Sequence, residues 1–418
     1  VSEETPVAGA GVAATTAADE PATASAPGRP DGRSVIREIV ESSTVVVILA
    51  VVASLILSGV LILLADPDFR AALQYFFSRP ADTFQTAGDA LGSAYGAIWQ
   101  GAVYNSGAPT FATKIAPFMQ TLTSATPLIF AGLGLGIGFR AGLFNIGAQG
   151  QILIGATLGA SVGFMMHLPF PLHLVLAVIG CTLGGALWGF IPGVLKAKTG
   201  AHEVITTIML NYIALYLVGW LLSLEAFQRE GSDNPQSPVL DTSAQYPRLF
   251  GDQYQLHWGF VVAILAAVFA WWLMERSTLG FQFRAVGANP SAAKTAGMRV
   301  STITILVMVT AGSFSGLAAS AQILGTQPSL TTGIAGSIGF DAITVALLGA
   351  SRPFGTVLAA ILFGGLKAAG PALQVQAGLP VDIVLVIQSF IVLFIAAPPL
   401  VRFLFRLPTP RIVKEVAA

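Results

Sequence analysis

Residues 44–65 read TVVVILAVVASLILSGVLILLA, a continuous apolar run without a single charge. As a helix rising 1.5 Å per residue it would cover about 33 Å, the thickness of a bilayer's hydrocarbon core. In lipid every backbone N–H and C=O must find its partner inside the protein, which admits only helices or closed barrels. Barrel strands would show alternating segments of about 10 residues; this run does not alternate. Comparable runs follow at 120–139, 146–166, 171–195, 203–223, 257–275, 302–324, 334–350, 354–370 and 381–400, with glycine interrupting 146–166 and 334–350 unusually short. The fold expected is an all-α polytopic membrane protein with about ten transmembrane helices.

Composition agrees. Of 418 residues, 54% are hydrophobic and 10% charged, whereas a water-facing domain carries about 25% charged residues. The formal net charge is zero, which argues against a nucleic-acid partner. Cys181 stands alone in an apolar run, so no disulfide framework exists. Residues 1–35 differ: Ala, Thr, Pro and Gly dominate the segment and large apolar side chains are nearly absent. It cannot bury enough surface to offset its ordering entropy, and it reads as a disordered tail. It lacks the basic start and early apolar core of a secretory signal.

Basic residues set the orientation expected for residues 36–418. With the N-terminus inside, fifteen Lys and Arg fall in inner segments, among them Arg140, Lys196, Arg276, Arg284, Arg299 and Arg352. Only five, Arg70, Arg79, Lys114, Arg229 and Arg248, fall outside. Cytoplasmic loops carry such an excess, so both termini are expected in the cytoplasm. Two outer segments are long. Segment 66–119 contains Leu91, Tyr95, Ile98 and Trp99 at helical spacing, as an interfacial helix would. Segment 224–256, with five acids against two arginines, reads as a solvated loop or as a docking surface for an extracytoplasmic partner.

The inner segment 276–301 contains Asn289, Pro290, Ser291, Ala292 and Ala293, with Gly297 beyond. Asn caps helix N-termini, Pro suits the first helical position and Gly suits the stop. A helix of about two turns outside the membrane follows. Such a rod is suited to carrying force to a bound partner; an ordinary capped loop is the plainer account.

Polar residues within the spans are few. Asn145, Gln149 and Gln151 stand among glycines between two apolar runs. There they either hydrogen-bond a passing solute or tie helices together. Glu203, Thr207 and Asn211 form a stripe at four-residue spacing, which must face protein or a pathway; Glu203 alone would suit a helix N-terminus. Asn211 and Tyr212 lie deeper and are the better pathway candidates. Asp341 and Lys367 sit on the order of 14 and 20 Å from the inner ends of their helices. They could pair, as a structural brace or as a gate, or Lys367 could extend outward to Asp382; Asp341 is also a candidate for the substrate pathway. Gly132, Gly134, Gly136 and Gly138 have spacing that permits close helix contact.

No G-x-x-x-x-G-K-[ST] phosphate loop occurs, so this chain does not cradle ATP in that manner. The four histidines, His167, His173, His202 and His257, have no metal-ligand spacing. A transport subunit rather than an enzyme is expected, with no cofactor of its own. An ion-coupled secondary transporter and a non-transport membrane scaffold are the rivals.

Four segments, in this order, resemble a known family: GFRAGLFNIGAQGQILIGA at 138–156, HEVITTIMLNYIA at 202–214, RAVGANPSAAKTAGM at 284–298 and GFDAITVALLGASRPFG at 339–355. They are similar to ATP-binding-cassette importer permeases of the branched-chain amino acid, ribose and nucleoside group, and in particular to the larger permease subunit of bacterial nucleoside or simple-sugar importers. The likeness covers roughly residues 120–400. It implies that Arg284, Asn289, Pro290, Ser291, Ala292, Ala293 and Gly297 belong to a loop coupling the permease to a cytoplasmic ATPase. Ser291 stands where many importer permeases carry Glu. It further implies ATP and Mg in that partner, a second permease subunit, an extracytoplasmic substrate-binding lipoprotein and residence in the bacterial inner membrane. The implied solute is a nucleoside, with simple sugars next.

Overall fold

The computed structural model describes residues 43–232 and 234–407. The tail expected at 1–35 and the inner cations Arg29, Arg33, Arg37, Arg411 and Lys414 lie outside the described residues. The helices are α1 Ser43–Ala65, α2 Pro67–Gln74, α3 Pro80–Ala102, α4 Phe111–Arg140, α5 Ala148–Met165, α6 Leu172–Thr199, α7 Glu203–Leu221, α8 Gly259–Arg276, α9 Thr278–Ala288, α10 Pro290–Thr295, α11 Val300–Ala321, α12 Ile338–Leu348, α13 Pro353–Ala377, α14 Asp382–Ala396 and α15 Pro398–Leu404. Among the described residues seven helices are long and apolar enough to cross a membrane, or eight if α14 and α15, bent by 93°, count as one. The all-α polytopic class holds. The expected ten spans differ at three places: α5 carries two glutamines in its first turn, α12 has only 11 residues, and the 381–400 run breaks before Pro398.

α4 is the hub, packed against α8, α11, α12 and α13, with 83% of its most apolar stretch buried. It begins nine residues before the apolar run because Thr110 and Thr113 form a reciprocal cap around its first turn. α6 packs on α5 and α11. The α6–α11 crossing is backbone against backbone: a Cβ on Gly185 would run into the Gly312 carbonyl and come within 2.6 Å of Gly316 N. Without a hydrophobic drive between helices in lipid, such small-residue seams supply the contact. The helix foreseen around Leu91 and Trp99 is the 23-residue α3. It lies along α13 and α1, with Ala90, Ala94 and Ala97 buried and the Tyr95 hydroxyl donating to the Leu55 carbonyl at 2.5 Å.

Segment 224–256 is not a free loop. Ser237 N donates to Leu330 O (3.0 Å), Leu240 N to Pro328 O (2.9 Å) and Tyr246 N to Leu324 O (2.8 Å), clamping it to the irregular stretch 322–337 that follows α11. His257 anchors the clamp: it is buried, stacks on Tyr246 and accepts from Gly259 N at 3.1 Å. Burial, with the nearby Arg248 charge second, pushes its pKa down to about 4, so the ring is neutral.

Candidate functional site

Two helix N-termini meet beneath this clamp. The turn 141–147 interrupts the chain between α4 and α5, and Asn145 folds back over it. Its Oδ1 accepts from Gly147 N at 2.9 Å, and its amide exchanges hydrogen bonds of 3.2 and 3.3 Å with that of Gln151. Both side chains are buried. From α7, Asn211 Oδ1 accepts from Gly150 N at 2.8 Å while Nδ2 donates to Ile146 O at 2.9 Å. One amide thus completes both sides of the helix break, as buried backbone requires. Gln149 reaches the other broken element: Nε2 donates to Gly336 O (2.6 Å) and Oε1 accepts from Gly339 N (3.0 Å), at the start of α12. Asn145, Gln149, Gln151 and Asn211 are therefore brought together, and each has structural partners. Tyr212 is not part of the cluster; it is 56% exposed and projects from another face of α7.

The Glu203–Thr207–Asn211 stripe faces this turn. Glu203 pairs with Lys196 at 2.8 Å, and Thr207 lies against Gly147. Replacing Asn211 by alanine would orphan Gly150 N–H and Ile146 C=O, at about 1–3 kcal/mol for each buried group. The expected result is a lowered thermal midpoint of the purified protein. Asn211→Asp is expected to fare little better, because it cannot donate to Ile146.

Beside Gln149, the Lys367 ammonium on α13 contacts Asp341 Oδ2 of α12 at 2.5 Å and donates to Ser337 Oγ at 3.0 Å; Ser337 in turn donates to Asp341 Oδ2 at 2.7 Å. The two ionisable groups form one partly buried unit, and Asp382 is not Lys367's partner. Ser337 and the Gly336 carbonyl escaped sequence reasoning; the spacing of Ser337, one helical turn before Asp341, was the available signal.

On the face carrying the 276–301 segment, Asn289 Oδ1 accepts from Ala292 N at 3.1 Å to start α10. Gly297, at φ +83°, ends it, with Met298 N donating to Ala293 O and Gly297 N to Lys294 O, each at 3.0 Å. Pro290, Ser291, Ala292 and Gly297 are exposed; only Ala293 of the rod is buried. Arg284 is ion-paired: Glu275 sits 2.8 Å from it and 2.7 Å from Arg140. α9 rests on the turn after α4, where a Cβ on Gly287 would come within 2.5 Å of Arg140 O. Among the described residues no cluster of His, Cys, Asp or Glu could hold a metal.

Membrane-spanning helices broken around a buried amide cluster, with a capped rod at one end, define a polytopic transport protein. The chain belongs to the family described as branched-chain amino acid transport system / permease component, which matches residues 118–396, and it is an ABC transporter permease subunit. It is 39% identical to the guanosine ABC transporter permease protein NupP of Bacillus subtilis over 76% of this chain and 89% of that protein. It is 36% identical to the glucose ABC transporter permease protein TsgB13 of Haloferax volcanii, over 66% of this chain and 78% of that one. To the nucleoside ABC transporter permease protein NupB of Lactococcus lactis it is 35% identical, over 70% and 81%. No solved structure matches the chain.

Proposed function

We propose that this permease imports nucleosides across a bacterial inner membrane, driven by ATP and Mg bound in a separate cytoplasmic ATPase. A second permease subunit completes the pathway, and an extracytoplasmic lipoprotein delivers the solute to the clamped 224–256 face. Both termini and the 289–297 rod lie in the cytoplasm. The observation that carries this reading is the rod itself: a rigid, capped, exposed helix set on α9, which rests on the turn leading to Asn145. A nucleoside is favoured over a sugar because two of the three relatives above are named for nucleoside transport and one for glucose. Gln149, half-exposed between two helix N-termini, offers an amide where those ends favour electron-rich groups. Asn145, Gln151 and Asn211 shape that position rather than touch solute, and the Asp341–Lys367 pair braces it.

The test is uptake of labelled guanosine by cells expressing the complete complex. Ala292→Trp, on the exposed side of the rod, is expected to cut uptake at least tenfold while membrane levels of the permease stay constant. Unchanged uptake would dismiss the coupling role. Saturable uptake of labelled glucose by the same cells, with none of labelled guanosine, would move the substrate to the sugars.

A further inference from the structure

We propose that the α12–α13 turn holds one anionic phospholipid, its phosphate on Arg352 and its acyl chains against α1 and α13. Two cavities meet at this turn and share Ala350, Arg352 and Gly355. The first, about 600 Å³, is lined by aliphatic side chains such as Val47, Val51, Leu358 and Leu362, and among the described residues Arg352 is the only charged one in its wall. The second, about 800 Å³, is lined by Arg140, Glu275, Arg276 and Arg352, with Trp271 and Phe354 beside them.

Charge decides what the polar cavity wants. It has three guanidinium groups and one carboxylate, and that carboxylate is already shared between Arg140 and Arg284. Arg276 lies over the Trp271 ring at 5.8 Å. Among the described residues no carboxylate within 4 Å pairs with Arg276 or Arg352. Both guanidinium groups are exposed and open to an anion. The apolar cavity wants something else: Ile48, Val52 and Leu358 around it are 57%, 40% and 71% exposed. An ATPase side chain or free phosphate would satisfy the arginines and leave the groove bare. A neutral solute would need neither. A phosphodiester joined to acyl chains meets both at once, and basic pockets between membrane helices recognise such headgroups. Leu362 lies nine residues beyond Pro353, so the groove runs about 14 Å along α13, enough for the upper part of a chain.

The turn is built to present Arg352. Ala350 and Ser351 are consecutive non-glycine residues at φ 52° and 55°, a left-handed conformation that costs energy and persists only where the surroundings enforce it. Here they do: Gly349 and Gly355 pack backbone to backbone, with a Cβ on Gly355 within 2.5 Å of Gly349 O, and Ser351 N donates to Ala346 O at 2.8 Å.

The experiment is native mass spectrometry of the full-length chain in its complex, delipidated and then titrated with dioleoyl phosphatidylglycerol or dioleoyl phosphatidylcholine. One phosphatidylglycerol per chain is expected, retained at least tenfold better than phosphatidylcholine. Arg352→Gln should erase that preference, Arg352→Lys should keep most of it, and Leu358→Trp should block binding by filling the groove. Equal retention of the two lipids, or unchanged binding by Arg352→Gln, overturns the proposal. Displacement by glycerol phosphate alone would make this a headgroup-only anion site and also overturn it. So would binding that appears only after residues 1–42 are removed, because the chain's own segment would then be the occupant. The readout does not involve uptake, so its failure and that of the import reading are separable.

Discussion

Lys367→Ala is expected to destabilise the protein by about 2 kcal/mol, because removing one partner of a partly buried ion pair leaves the other charge uncompensated, at somewhat less than the cost for a fully buried pair. Asp341 would be left on α12 with only Ser337 as donor, its side chain 15% exposed. Asp341→Ala should cost a similar amount by stranding the ammonium on α13. The double alanine variant is the informative one: with no charge left to strand, its loss should be smaller than the sum of the two by well over 1 kcal/mol. Thermal midpoints of the solubilised variants, compared as a cycle, measure this coupling. Strictly additive losses would mean that the two groups do not stabilise each other.

A second large effect is expected at the α6–α11 seam. Gly185→Val places branched carbons where Gly312 and Gly316 backbone atoms already lie. Backbone cannot rotate aside as a side chain would, so the helices must separate. Overpacking of this kind costs about 3 kcal/mol or more, and the variant should yield little monodisperse protein. Gly96→Ala is the matched contrast. A Cβ there meets nothing within 4 Å, and replacing glycine inside a helix is favourable by up to about 1 kcal/mol. Size-exclusion profiles of the two variants should diverge; similar profiles would mean the seam is looser than its contacts imply.

The spans that were legible keep an apolar average over a full helix length, as α7 does despite Asn211 and α6 despite His173. Those that were misread carry a local breaker whose effect an apolar average hides. Lys114 and Pro117 masked the first turns of α4, although Thr110 caps it. Gly333, Gly336 and Ser337 delay the start of α12 beyond the apolar residue Ile334, and Pro398-Pro399 bends the last run. Within the site, single amides among glycines stood out as unusual, but their partners did not. Gln149 bonds to Gly336 and Gly339, about 190 positions away, and no periodicity reports such a contact. The same limit left Lys367 with two possible carboxylates until the geometry selected Asp341.

Where α9 meets the turn after α4, Gly287 faces Gly142, itself at φ +71°, with no side chain from either between them. Most joints between moving parts contain side chains that change rotamer and so absorb small displacements. This one has bare main chain on both sides, locked from beside by the Arg140–Glu275–Arg284 bridge. With no side chain to change rotamer at this contact, any displacement of α9 would have to be passed to the turn before Leu143 and Asn145 by main chain alone.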